Sequence, residues 1–211
     1  MFDRALNSVL QRPLKSMAAG LLALGLRPDQ MSWAGFVIGL TAIPLIALGQ
    51  PQWAILSIAL NRLADGLDGT MARLTQPTDL GAFLDISLDF LFYSSIPLAF
   101  VLADPAHHGL AGALLIYSFI GTGCTFLAFA VLAAKRDGGN TSTIYPDKGF
   151  YYLGGLTEST ETIAVFVLMC LFPAWFDGLA FGFASLCLLT TATRISAGMA
   201  VFKSEAPARP T

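Results

Sequence analysis

Six apolar runs, each close to the length of a membrane span, account for most of this 211-residue chain. They cover residues 31–48, 53–73, 80–102, 110–134, 150–172 and 176–201. A helix rises about 1.5 Å per residue, so about 20 apolar residues cross the hydrocarbon of a bilayer. Charged residues make up only 12% of the chain, against about 25% in an average soluble domain. The breaks between runs read "GQPQ", "TQPT", "ADPAHHG", "KRDGGNTSTIYPDKG" and "PAWFDG". Each carries Pro or Gly, which interrupt helices for steric and entropic reasons. The sequence therefore predicts an all-α membrane protein with six transmembrane helices. One domain, residues 31–202, follows a juxtamembrane segment, 1–30, and precedes a short tail, 203–211.

Charge sets the expected orientation. Arg4, Arg12, Lys15 and Arg27 precede the first run, Lys135, Arg136 and Lys148 fall between the fourth and fifth, and Lys203 and Arg209 lie in the tail. The breaks after the first, third and fifth runs hold no Lys or Arg. The positive-inside rule then places both termini in the cytoplasm, in a multi-pass protein of the inner (cytoplasmic) membrane. Apolar residues at 2, 5, 6, 9 and 10 suit an N-terminal amphipathic helix lying in the interface. No cleaved signal peptide is expected, because no h-region ends in a small-residue cleavage site. A net charge of −2 gives no reason to expect nucleic acid as a partner. Cys124, Cys170 and Cys187 lie inside apolar runs and read as small core residues without a disulfide framework. His107 and His108 fall in the third break and read as solvated loop residues.

Against this apolar background the second and third runs carry Asp65, Asp68, Asp85 and Asp89. The two runs form a hairpin about Pro77. Asp65 and Asp89 each lie 12 residues from that proline, and Asp68 and Asp85 lie nine and eight. Spacings of three and four residues put each pair on one helix face. The four carboxylates therefore converge at similar depth. An aspartate at the centre of a spanning helix costs about 2.5–3.5 kcal/mol. Protonation or a divalent cation would relieve the crowding, and an all-oxygen site favours Mg²⁺, Ca²⁺ or Mn²⁺. Two nearby ions would suit displacement at phosphorus. Gly69, Ala72 and Gly81 leave room for a ligand near the backbone, and Arg73 offers a fork for phosphate oxygens. A small-residue helix interface would explain the Gly and Ala, but not four matched acids.

"DGLDGTMAR", followed after a spacer by "GAFLDISLD", resembles the signature of the CDP-alcohol phosphotransferase family. All eight signature positions are filled: Asp65, Asp68, Gly69, Ala72, Arg73, Gly81, Asp85 and Asp89. One departure is a spacer of seven residues between Arg73 and Gly81, where most members have eight. "GLRPDQMSW" is also similar to the family's Thr-Pro-Asn opening, with Arg27 and Asp29 replacing two of its residues. The resemblance implies transfer of a phosphatidyl group from a CDP-linked lipid, usually CDP-diacylglycerol, to an acceptor alcohol, releasing CMP into a cytoplasm-facing cavity. It implies one Mg²⁺ or Mn²⁺ on Asp65, Asp68 and Asp85, and a second that Asp89 helps to hold. Asp89 would also be the catalytic base. Asp68, Gly69, Ala72, Arg73 and Gly81 would serve the CDP site, and two chains would form a homodimer.

Other intramembrane charges need partners, among them Arg62, one turn before Asp65. Glu158 and Arg194 lie at similar depth in the fifth and sixth runs and suit a structural ion pair. Alternatively Arg194 faces an anionic or polyol acceptor, with Lys135, Arg136 and Lys148 as a basic rim. That rim also suits anchoring to membrane lipids. A divalent-cation or proton-coupled transporter is the competing function, since intramembrane acids also mark ion paths. The first and fourth runs contain no acid to continue such a path.

Overall fold

A computed structural model describes residues 3–136, 157 and 159–204, and among these every regular element is helical. The elements are α1 (Asp3–Ala23), α2 (Pro28–Leu40), α3 (Ala42–Ala47), α4 (Pro51–Leu74), α5 (Asp79–Ala103), α6 (Pro105–Arg136), α7 (Ser159–Leu171) and α8 (Phe176–Ser204). Residues 28–47, α5, 105–133 and 173–203 are long and apolar enough to cross a membrane. Helix α4 is 24 residues long, but Arg62, Asp65, Asp68 and Arg73 make it more polar than these. The start of the expected fifth span, Lys148, Glu158 and the tail beyond residue 204 lie outside the described residues.

Local chemistry sets the boundaries. Helices α1 and α3 both end in a Schellman turn on a glycine with positive φ, Gly25 at 85° and Gly49 at 76°. In each turn the following N–H reaches back five residues, from Leu26 to Leu21 and from Gln50 to Leu45. Pro28 and Pro51 open the next helices, where a missing N–H costs nothing. The break between α2 and α3 falls at Thr41, three residues before Pro44, whose ring clashes with the preceding turn. Thr78 caps α5, its hydroxyl accepting from the Gly81 N–H at 3.0 Å.

The structure extends or corrects the sequence reading at several points. The N-terminal helix runs beyond its amphipathic stretch, passing through Pro13 to Ala23. It continues because Leu14, Ala18, Leu21 and Leu22 form a stripe that packs on Leu67 and Met71 of α4. His107 and His108 are not loop residues but lie on the first turn of α6. Asp104 acts as N-cap, accepting the His107 N–H at 3.1 Å, with Pro105 at the first helical position. That backbone N–H, together with the His107 ring, holds the exposed Asp104 carboxyl below its ordinary range. The cap is therefore intact at neutral pH and weakens as acid protonates the carboxylate. Cys170 and Cys187 are buried as expected, whereas Cys124 is exposed on α6.

The main core joins α3, α4 and α5 to α6, α7 and α8. Phe92, Ile96 and Phe100 meet Leu115, Phe166 and Phe176, all nearly inaccessible. Phe100 and Phe176 stack with ring centroids 4.4 Å apart. The outside is apolar as well: Trp53, Leu56, Phe83, Leu91, Tyr117 and Val131 are all more than half exposed. Such a surface suits lipid rather than water. Helix α2 packs closely on α4 because Gly35 faces Ala64; a Cβ at Gly35 would sit 2.5 Å from the Ala64 Cβ. Gly35→Ala must therefore push the two helices apart. It is expected to cost about 1–3 kcal/mol, read as a lower Tm of the purified protein in detergent.

Candidate active site

The α4–α5 hairpin turns through Thr75–Thr78, and its two helices carry the acids into one open cleft. Asp65, Asp68 and Asp85 each present an oxygen, and the three oxygens lie within 4.8 Å of one another. Asp68 is buried, Asp65 is partly covered and Asp85 is exposed, so the group is graded from protein to solvent. Ser32 of α2 donates its hydroxyl to Asp68 Oδ2, tying a third helix to the site. A set of three hard oxygen donors, reachable from solvent, matches what Mg²⁺ or Mn²⁺ takes.

Asp89 shares the cleft but is held differently. Its Oδ1 accepts from Arg62 Nη2 at 2.6 Å and its Oδ2 from the Tyr93 hydroxyl at 3.2 Å. Arg62 also donates to Asp65 Oδ2 at 3.4 Å. Sequence reasoning noted Arg62 only as a charge in need of a partner, and missed Tyr93 and Ser32. Spacing alone could have found two of the three. Arg62 lies three residues before Asp65 and Tyr93 four after Asp89, each on the same helix face as its acid.

The remaining candidates surround the hairpin or lie apart from it. Gly69 and half-buried Ala72 follow Asp68 on α4. Arg73 is exposed near the end of α4, folds back over Gly69 and donates to Thr70 Oγ1 at 3.0 Å. Gly81 is in the first turn of α5, close to Asp29 of α2. Arg194 of α8 reaches α6, donating to the Thr122 carbonyl at 3.1 Å with its guanidinium 6.0 Å from the Phe126 ring centre. Lys135 is exposed at the end of α6. The side chain of Arg136, the whole of Lys148, and Glu158 as the suggested partner of Arg194 lie outside the described residues.

Comparison with known proteins decides what this hairpin belongs to. Residues 26–193 match the family described as CDP-alcohol phosphatidyltransferase. The chain belongs to the CDP-alcohol phosphatidyltransferase family. As a CDP-alcohol phosphatidyltransferase it is a transferase, moving a phosphatidyl group from a CDP-linked lipid to an alcohol with release of CMP. That settles the choice between enzyme and carrier in favour of the enzyme. The chain is 52% identical to the inner membrane protein YnjF of Escherichia coli K12, over 97% of this chain and 98% of that one. It is 27% identical to an archaetidylinositol phosphate synthase of Pyrococcus horikoshii, over 78% of this chain and 80% of that one. Among solved structures it is similar to the Mycobacterium tuberculosis phosphatidylinositol phosphate synthase PgsA1 with CDP-DAG bound. The TM-score is 0.67 at 20% identity, covering 89% of this chain and 94% of that one. The same enzyme with manganese and citrate gives a TM-score of 0.65 at 21% identity, covering 88% of each. At these identities the two structures speak for the fold.

Proposed function

We propose that this phosphatidyltransferase takes CDP-diacylglycerol as donor and a polar alcohol as acceptor. Asp65, Asp68 and Asp85 would hold Mg²⁺ or Mn²⁺, and Asp89 is the general base. The observation that carries this reading is the meeting of three carboxylates within 4.8 Å, with a fourth, separately held, in the same cleft. When bound, the metal withdraws charge from the pyrophosphate and stabilises departing CMP. The protein supplies position. Asp68, Gly69, Ala72, Arg73 and Gly81 line the CDP site; the two glycines leave the backbone open to the nucleotide, and the exposed Arg73 guanidinium meets a phosphate. Arg62 and Tyr93 fix the Asp89 carboxylate, which takes the proton of the acceptor hydroxyl as that oxygen attacks phosphorus.

In this reading α4 and α7 complete six spans in the inner membrane. The cleft faces the cytoplasm, where both termini lie, and two chains form a homodimer. The distribution of Lys and Arg supports the orientation, and the family resemblance supports the pairing. Arg194, Lys135, Arg136 and Lys148 attract the acceptor; Arg194 is supported by its place on α8 beside α6, and the others by charge. The test is CMP release by purified protein from CDP-diacylglycerol, across a panel holding inositol phosphate, glycerol phosphate, serine and other amino alcohols. Release that needs Mg²⁺ or Mn²⁺ and one class of acceptor is expected. No release with any acceptor would refute the assignment of donor and chemistry.

A further inference from the structure

Arg62 is placed between Asp65 of α4 and Asp89 of α5, where its charge does more than pair with one acid. Its side chain is only 16% exposed. A guanidinium has five N–H groups, and five hydrogen bonds engage it here. Nε and Nη2 donate to Asn61 Oδ1 at 2.9 and 2.7 Å, and Nη1 donates to Asp65 Oδ2 at 3.4 Å and Tyr93 Oη at 3.1 Å. Nη2 also donates to Asp89 Oδ1 at 2.6 Å. Phe92 and Tyr93 flank the group, with ring centres 5.1 and 5.3 Å from its carbon. Tyr93 uses its proton on Asp89, so the Ser159 hydroxyl, 2.6 Å away on α7, donates to Tyr93. Three helices thus lock the cation and the carboxylate together.

The consequence concerns metal loading. A second divalent ion on Asp89 would have to displace Arg62 from an oxygen it already holds, or sit beside its charge at a few ångströms. Like charges at that distance repel strongly in a covered site, and a guanidinium cannot lose its proton to make way. We propose that Arg62 is a resident cation standing in place of the second ion that the signature alone implies. The chain then loads one divalent ion, on Asp65, Asp68 and Asp85. Asp89 is reserved for proton transfer, with Arg62 and Tyr93 as its positioning residues. This rests on the reading of those three carboxylates as a metal site.

Mn²⁺ binding to purified protein, counted by equilibrium dialysis with and without CDP-diacylglycerol and paired with electron paramagnetic resonance, tests the idea. The wild type is expected to hold one Mn²⁺ per chain with the spectrum of an isolated ion. Arg62→Gln is expected to hold two, broadened by their proximity, and Arg62→Lys, which keeps the charge, to remain at one. Two ions on the wild type would overturn the proposal without any variant needing to fold. A folded Arg62→Gln that still holds one would overturn it too. Zero ions on the wild type would instead remove the metal site itself, a separate failure visible in the same experiment.

Discussion

Replacing Asp68 with alanine is expected to abolish Mn²⁺ binding and to lower CMP release by about 10³-fold or more. A bound metal stabilises developing charge by several kcal/mol, and each 1.36 kcal/mol is tenfold in rate, so about 4 kcal/mol gives that factor. Asp68 is the sharpest place to remove it. It is the buried member of the metal trio, with 6% exposure, and the Ser32 hydroxyl fixes its direction. Asp65 and Asp85 alone offer too few fixed oxygens to hold the ion. A second substitution at this position separates function from folding. Removing one of several crowded carboxylates relieves mutual repulsion when no metal is present. Asp68→Asn, which removes the same charge but keeps the acceptor for Ser32, is therefore expected to have a Tm in EDTA no lower than that of the wild type. Activity is expected to be lost in both.

Asp89→Asn is expected to cost about 10²–10⁴-fold in the chemical step, the usual contribution of a positioned general base. An amide cannot take the proton of the acceptor hydroxyl. Its oxygen can still accept from Arg62, so the clamp and the hairpin should survive. The prediction has two parts: single-turnover CMP release falls by that factor, while Mn²⁺ still binds and CDP-diacylglycerol is still retained. This pattern differs from that of Asp68→Ala, which loses the ion as well. Equal loss of metal in both variants would mean that Asp89 belongs to the metal site rather than to proton transfer.

How much of this could be seen in the sequence depended on the range of the interaction. Asp65, Asp68, Asp85 and Asp89 obey two local rules, same-face spacing along a helix and equal depth across a tight hairpin. Both rules needed only the turn at Pro77, and the structure places that turn at Thr75–Thr78. Carrying the rules one turn further outward reaches Arg62 and Tyr93, which lie 15 and 16 residues from Pro77. Their role was legible in principle and was overlooked because both lie just outside the signature, which runs from Asp65 to Asp89. Ser32 is different. It meets Asp68 through the packing of α2 on α4, which depends on Gly35 against Ala64, and no spacing within either helix encodes it. The start of α6 failed for another reason. "ADPAHHG" was read as a break because it holds Pro and Gly, yet Asp followed by Pro is also a helix opening, and the Asp104 cap shows which applies. Arg62, Asp65 and Asp68 also explain why α4 looks least like a span. Its polarity is the site.

Retention of CDP-diacylglycerol by the purified protein, measured with Mn²⁺ and again with excess EDTA, tests the central claim most directly. Metal-dependent retention by the wild type, absent in EDTA and absent in Asp68→Ala, is the expected result. Equal retention with and without the metal, or by Asp68→Ala, would contradict the claim that the hairpin carboxylates hold the nucleotide lipid through a shared cation.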